Sequence, residues 1–187
     1  MTKRAGMLLV SVFFLGLGLT QLSAFRERLE AAIKGGGQEF SRVMLAQDKA
    51  QALCSQYRDQ LPAELIPGFL EEQKALIKYP ASGKLMGDWR NGEKVFTDPK
   101  RGNCYACHAG VPDEVAHGTM GPSLTDFGQR GTEEAVVRYT YEKIYNAWAY
   151  VPCSLMYRGG VHDLFTPEET ADLVAFLLDP ESPINRR

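Results

Sequence analysis

Cys104-Tyr105-Ala106-Cys107-His108 is the stretch on which the reading of this chain turns. Two thiols in C-x-x-C spacing, followed at once by an imidazole, form the attachment pattern of c-type haem. The thiols can reach both vinyl groups of one porphyrin as thioethers, and the adjacent histidine is then held under the iron as an axial ligand. A C-x-x-C can also be half of a zinc site or a redox dithiol. Zinc would want a second ligand pair at similar spacing, and the other cysteines, Cys54 and Cys153, stand alone. A dithiol would want a preceding strand and a helix opening at its first cysteine. Thr97-Asp98-Pro99-Lys100-Arg101-Gly102-Asn103 is loop chemistry instead. The expectation is one covalent haem c on Cys104 and Cys107, with His108 as an iron ligand.

Helical patterns surround this motif. Asp88 suits a helix cap, and Trp89, Gly92 and Phe96 then share one face. A glycine on a buried face predicts close approach by another helix. The expected partner follows Thr166-Pro167-Glu168-Glu169, a capping box with proline in the first turn, and stops before Pro180. A middle helix is expected from about Thr132 to Trp148. No strong strand pattern appears. Residues 81–187 therefore read as an all-α, class I cytochrome c-like haem domain.

Residues 25–80 read as an N-terminal helical arm. Phe25 to Ile33 is followed by a glycine break at 35–37, a second helix is expected from Glu39 to about Arg58, and a third from Leu65 to Tyr79. Residues 1–24 have secretory grammar: Lys3 and Arg4, an uncharged apolar run from Met7 to Leu19, and Leu22-Ser23-Ala24 suited to cleavage. That run is shorter than the ~20 residues a membrane helix needs, so no stable membrane span is expected. A periplasmic location agrees with haem attachment outside the cytoplasmic membrane. Cleavage would move the formal charge from -2 to -4 by removing Lys3 and Arg4. With no basic run, nucleic acid is excluded as a partner class.

The second axial ligand has to come from elsewhere in the chain. Met120, Met156, His117, His162 and a Cys153 thiolate are the candidates. Met120 and His117 lie close behind His108, and Gly121-Pro122 makes a turn that stays on the His108 side. There the Pro122 carbonyl is placed to accept from the other ring nitrogen of His108. Met156 lies 48 residues after His108, in a loop bounded by Val151-Pro152 and Gly159-Gly160, and is favoured. Haem attachment leaves Cys54 and Cys153 as an even pair in an oxidising compartment, and a disulfide between them is expected.

Beyond the haem motif, Ile77-Lys78-Tyr79-Pro80, Gly87-Asp88-Trp89, Gly102-Asn103 and Gly121-Pro122-Ser123-Leu124 resemble SoxX, the monohaem subunit of the SoxAX cytochrome of bacterial sulfur oxidation. The likeness continues through Lys143-Ile144-Tyr145-Asn146, Tyr150-Val151-Pro152-Cys153-Ser154 and Leu178-Asp179-Pro180, and covers about residues 47–185. The resemblance implies a periplasmic heterodimer with SoxA that joins thiosulfate to a cysteine of the SoxYZ carrier. The bond-forming centre would lie on SoxA, and this chain would pass electrons to a small cytochrome. It also implies histidine–methionine ligation, which maps to His108 and Met156. One stretch departs: the family usually reads Met-Pro-Arg-Phe-Gly where this chain has Met156-Tyr157-Arg158-Gly159-Gly160. The alternative is a freestanding cytochrome c that shuttles electrons. No residue pattern suggests a catalytic base, nucleophile or phosphate cradle.

Overall fold

The computed structural model describes residues 24–38, 46–112, 114 and 116–186, and no strand occurs among them. The expected leader lies almost entirely outside the described residues. The chain divides into two compact units, Met1–Lys49 and Ala50–Arg187. In the first, residues 24–35 form a helix. Along it Glu30 receives Arg26 at 3.0 Å and Lys34 at 3.9 Å, pairs set by helical spacing.

The second unit holds α1 (Lys49–Gln56) from its second residue on, and all of α2 (Ile66–Ala75), α3 (Trp89–Thr97), α4 (Glu134–Tyr145) and α5 (Pro167–Leu178). The body of α1 and all of α2, read from sequence as part of the arm, therefore fall in the same compact unit as residues 81–187. The continuous helix expected from Glu39 to Arg58 is not found. Residues 39–45 lie outside the description, 46–48 are not helical, and α1 begins only at Lys49. Asp48, a residue type that starts helices more readily than it continues them, stands just before it. At the far end Arg58 and Asp59 turn left-handed, with φ of 50° and 62°.

The helix expected from Leu65 to Tyr79 ends at Ala75, because core contacts draw its tail away. Ile77 is buried, the Lys78 carbonyl accepts from Tyr141 at 2.7 Å, and Tyr79 stacks on Tyr141 with ring centres 5.5 Å apart. Likewise α4 stops at Tyr145 rather than running to Trp148. Asn146 leaves the helix, caps the short turn Ala147–Ala149 through the Trp148 amide, and donates to the Gln73 carbonyl at 2.8 Å. Each tail gives up helical hydrogen bonds and gains buried partners for its polar groups.

Helices α3 and α5 form as their sequence signals predict. The Asp88 side chain accepts from the Arg90 amide, and Thr166 and Glu169 complete a reciprocal capping box. The two helices pack directly, with Phe96 against Phe176 at 4.9 Å between ring centres. Around this pair Val95, Tyr141, Tyr145, Val174 and Leu178 form the main core. A smaller core joins Ala50, Cys54, Phe69 and Cys153, with Trp148 against it.

Candidate functional site

The loop after α3 turns left-handed at Asn103, with φ of 43°, and enters the tight turn Cys104–Ala106. The amides of Cys107 and His108 both reach the Cys104 carbonyl, at 3.1 and 2.9 Å. This turn brings both thiols and the imidazole to one wall of a cavity of about 360 Å³. That volume lies within the ~300–1,000 Å³ common for small-molecule and cofactor sites.

His108 is held firmly. Its Nδ1 lies 2.7 Å from the Pro122 carbonyl, as the sequence reading expected. A carbonyl can only accept, so Nδ1 carries the proton and Nε2 keeps its lone pair for a metal. Gly121 has to be glycine here, because a Cβ would meet His108 Cε1 at 2.2 Å. The loop carrying Gly121 is tied to the motif through its amide, which donates to the Cys107 carbonyl at 2.8 Å.

Among the second-ligand candidates, Met120 and Met156 line the cavity. Met120 belongs to the loop that cradles His108. Cys153 is joined to Cys54 in a disulfide, with Cα atoms 5.6 Å apart, so it offers no thiolate. His117 bonds the Gly118 carbonyl and His162 pairs with Arg158; neither lines the cavity. The structure thus gathers Cys104, Cys107, His108, Met120 and Met156 around one space, and it separates Cys54 and Cys153 from it as a staple between α1 and the Met156 loop.

That loop has further supports. Trp148 Nε1 donates to the Ser154 carbonyl at 2.7 Å, and Ser154 Oγ accepts from the Met156 amide at 3.1 Å. Arg158, 2% exposed, stacks 4.2 Å over the Trp148 ring and donates to Gln73 Oε1 and His162 Nε2. Tyr157 donates to the Gly102 carbonyl, and its oxygen lies 4.0 Å from Cys104 Sγ.

The donor set fits an iron porphyrin. Phe96, Leu124, Phe127, Ile144, Leu173 and Leu177 supply apolar walls. Arg130 and Lys143 are the charged groups among the described lining residues, which include no aspartate or glutamate. Two cations in a largely apolar space suit the two carboxylates of a haem. Burial holds Lys143 below the ordinary lysine range. The rival readings fit less well. Apolar surroundings push the Cys104 thiol up to about 12, opposite to the low value a reactive dithiol needs. Among the described residues, the acidic, histidine and cysteine groups close enough to share a metal are Cys54, Asp59 and Cys153, and two of these are disulfide-bonded.

Sequence reasoning did not single out Gln73 or Ser154 as parts of the site, and it met Tyr157 and Arg158 in the ligand loop without the contacts that hold them. For Gln73 a signal existed: it follows Phe69 at helical spacing and so shares the buried face. Nothing local distinguishes Arg158 from a surface arginine, because the ring that covers it lies in another segment.

The cytochrome c family model matches residues 89–179, from the start of α3 to just past α5. An uncharacterized lipoprotein of Aquifex aeolicus (strain VF5) is 45% identical over 163 residues, covering 80% of this chain and 78% of that protein. No helix among the described residues is long and apolar enough to cross a membrane.

Proposed function

The chain belongs to one family with that lipoprotein and carries a cytochrome c domain; from this premise we propose that it is an exported, monohaem electron-transfer subunit of the SoxX type. A cytochrome c domain implies covalently bound haem c and an electron-transfer role. The finer reading is ours. Cys104 and Cys107 would carry a single haem through thioethers, and His108 and Met156 would be its iron ligands.

The observation that carries the reading is the gathering of these four side chains around one apolar space with cations at its wall. When bound, the haem supplies one-electron chemistry. The chain does the rest. Pro122 fixes the His108 ring, the Ser154 and Trp148 contacts fix the backbone at Met156, and the aromatic and aliphatic walls keep water away. A thioether ligand favours iron(II) more than a second imidazole would and raises the potential, as suits an electron acceptor.

In this reading the protein works in the periplasm beside a SoxA-type cytochrome. It accepts electrons while thiosulfate is joined to the SoxYZ carrier cysteine, and passes them to a small cytochrome c. The resemblance outside the haem motif supports a fixed partner, as does the bonding of α1 to the Met156 loop, since a diffusing shuttle needs little beyond the haem domain. Co-expression with a candidate SoxA partner tests it. The expected result is a 1:1 complex that reduces an external cytochrome when thiosulfate and SoxYZ are supplied. A haem-loaded monomer that binds no such partner but exchanges electrons with small cytochromes would leave the shuttle reading instead.

A further inference from the structure

Tyr157 directly follows Met156, and Gly159 lies two residues further along the same loop. Gly159 has a local explanation. A Cβ there would meet Phe165 Cε2 at 1.9 Å, so the space a side chain would need is filled by a ring from six residues on. Phe165 is 3% exposed, and the Tyr157 ring leans on it at 6.1 Å between centres. The Tyr157 hydroxyl then crosses to the Gly102 carbonyl, two residues before Cys104. One side chain next to Met156 is thereby fastened to the segment that carries the attachment cysteines.

The tyrosine fixes its loop to something outside it. Resting on the ligand reading above, we propose that Tyr157 is a positioning residue for Met156: its hydrogen bond to Gly102 clamps the sixth-ligand loop to the attachment loop. The clamp acts through position alone, because Tyr157 supplies no atom to the iron. Its hydroxyl also lies 4.0 Å from Cys104 Sγ, and both residues line the cavity.

The test uses the full, haem-loaded protein, wild type and Tyr157→Phe. The near-infrared charge-transfer band of methionine–haem ligation and the far-ultraviolet circular dichroism are followed through one guanidinium titration, and the reduction potential is measured in buffer. Removing one hydrogen bond should raise the folded but methionine-detached population about fivefold, the equilibrium equivalent of a net hydrogen bond. The band should then fade well before the helical signal, and the potential should fall. A general loss of stability would move both transitions together and leave the potential unchanged; that outcome overturns the clamp while leaving the ligand reading intact. Absence of the band from the wild-type protein would overturn both.

Discussion

Gly92 of α3 and Asp172 of α5 meet backbone to backbone: a Cβ on Gly92 would lie 2.0 Å from the Asp172 carbonyl oxygen. Asp172 reinforces the crossing with its carboxylate, which accepts from the Asp88 amide at 2.7 Å and from Asn91 Nδ2 at 2.7 Å. Both helices contribute cavity walls, through Phe96 on one and Leu173 and Leu177 on the other.

Gly92→Ala should therefore act at a distance. Overpacking a tight contact costs about 1–3 kcal/mol. Because the obstacle is backbone, the helices have to separate and the cavity walls with them. The expected result is a lower denaturation midpoint and a smaller haem-loaded fraction, read from guanidinium titration and from the haem-to-protein absorbance ratio. An Asn91→Ala variant, which removes one side-chain bond but no packing, should lower the midpoint less.

This crossing was legible in the sequence, and the reason is physical. A glycine on an apolar helical face, and a proline-bearing capping box, are local signals whose meaning depends little on the rest of the chain. The carbonyl that orients His108 was legible for the same reason, since Gly121-Pro122 lies only 13 and 14 residues on. The ends of α2 and α4 were not. Apolar periodicity ran on to Tyr79 and Trp148, but Tyr141, Glu142 and Gln73 offered better partners from other segments. Arg158 was hidden similarly: its burial depends on Trp148 and Gln73, which no window around Arg158 contains.

The Cys54–Cys153 bond closes a loop of sequence separation 99. In the chain-entropy model, closing a loop of that length stabilises by about 4–5 kcal/mol. Replacing both cysteines by serine should lower the unfolding free energy by an amount of that order, measured by guanidinium denaturation of the haem-loaded protein. Because Cys153 lies three residues before Met156, the methionine–haem band should also weaken at lower denaturant. In the wild type, alkylation under denaturing, non-reducing conditions should add nothing to either residue, as intact mass would show.

Acid should loosen the join between the attachment loop and α5. Arg101 Nη2 contacts Glu169 at 2.5 Å and the Leu164 carbonyl at 3.3 Å. The Arg101 hydrogen bond, helped by the Thr166 amide, holds the Glu169 carboxyl below the ordinary carboxylate range. A carboxylate with a depressed folded pKa stabilises above its unfolded value of about 4.3, and that contribution is lost as pH falls through the folded value. Glu169→Gln should thus lower the melting temperature near pH 7, and the gap to wild type should shrink below about pH 4. A gap that stays constant down to pH 3 would show that the charge contributes nothing and that only the cap matters.

Gly159 and Phe165 offer a test of the packing behind the Met156 loop. Gly159 has no left-handed backbone, so a larger residue is opposed by space and not by conformation. Gly159→Phe alone sets a second ring against the buried Phe165 and should cost at least the ~1–3 kcal/mol of overpacking. Phe165→Ala alone opens a cavity beside Tyr157 and should cost about 3–5 kcal/mol. If the two rings are alternatives for one space, the double variant should be more stable than the sum of the single losses predicts, by a coupling of about 1 kcal/mol or more. Simple additivity in guanidinium denaturation would mean that the two positions do not compete for one space. The methionine–haem band should follow the same pattern, since Tyr157, which leans on Phe165, lies between this packing and Met156.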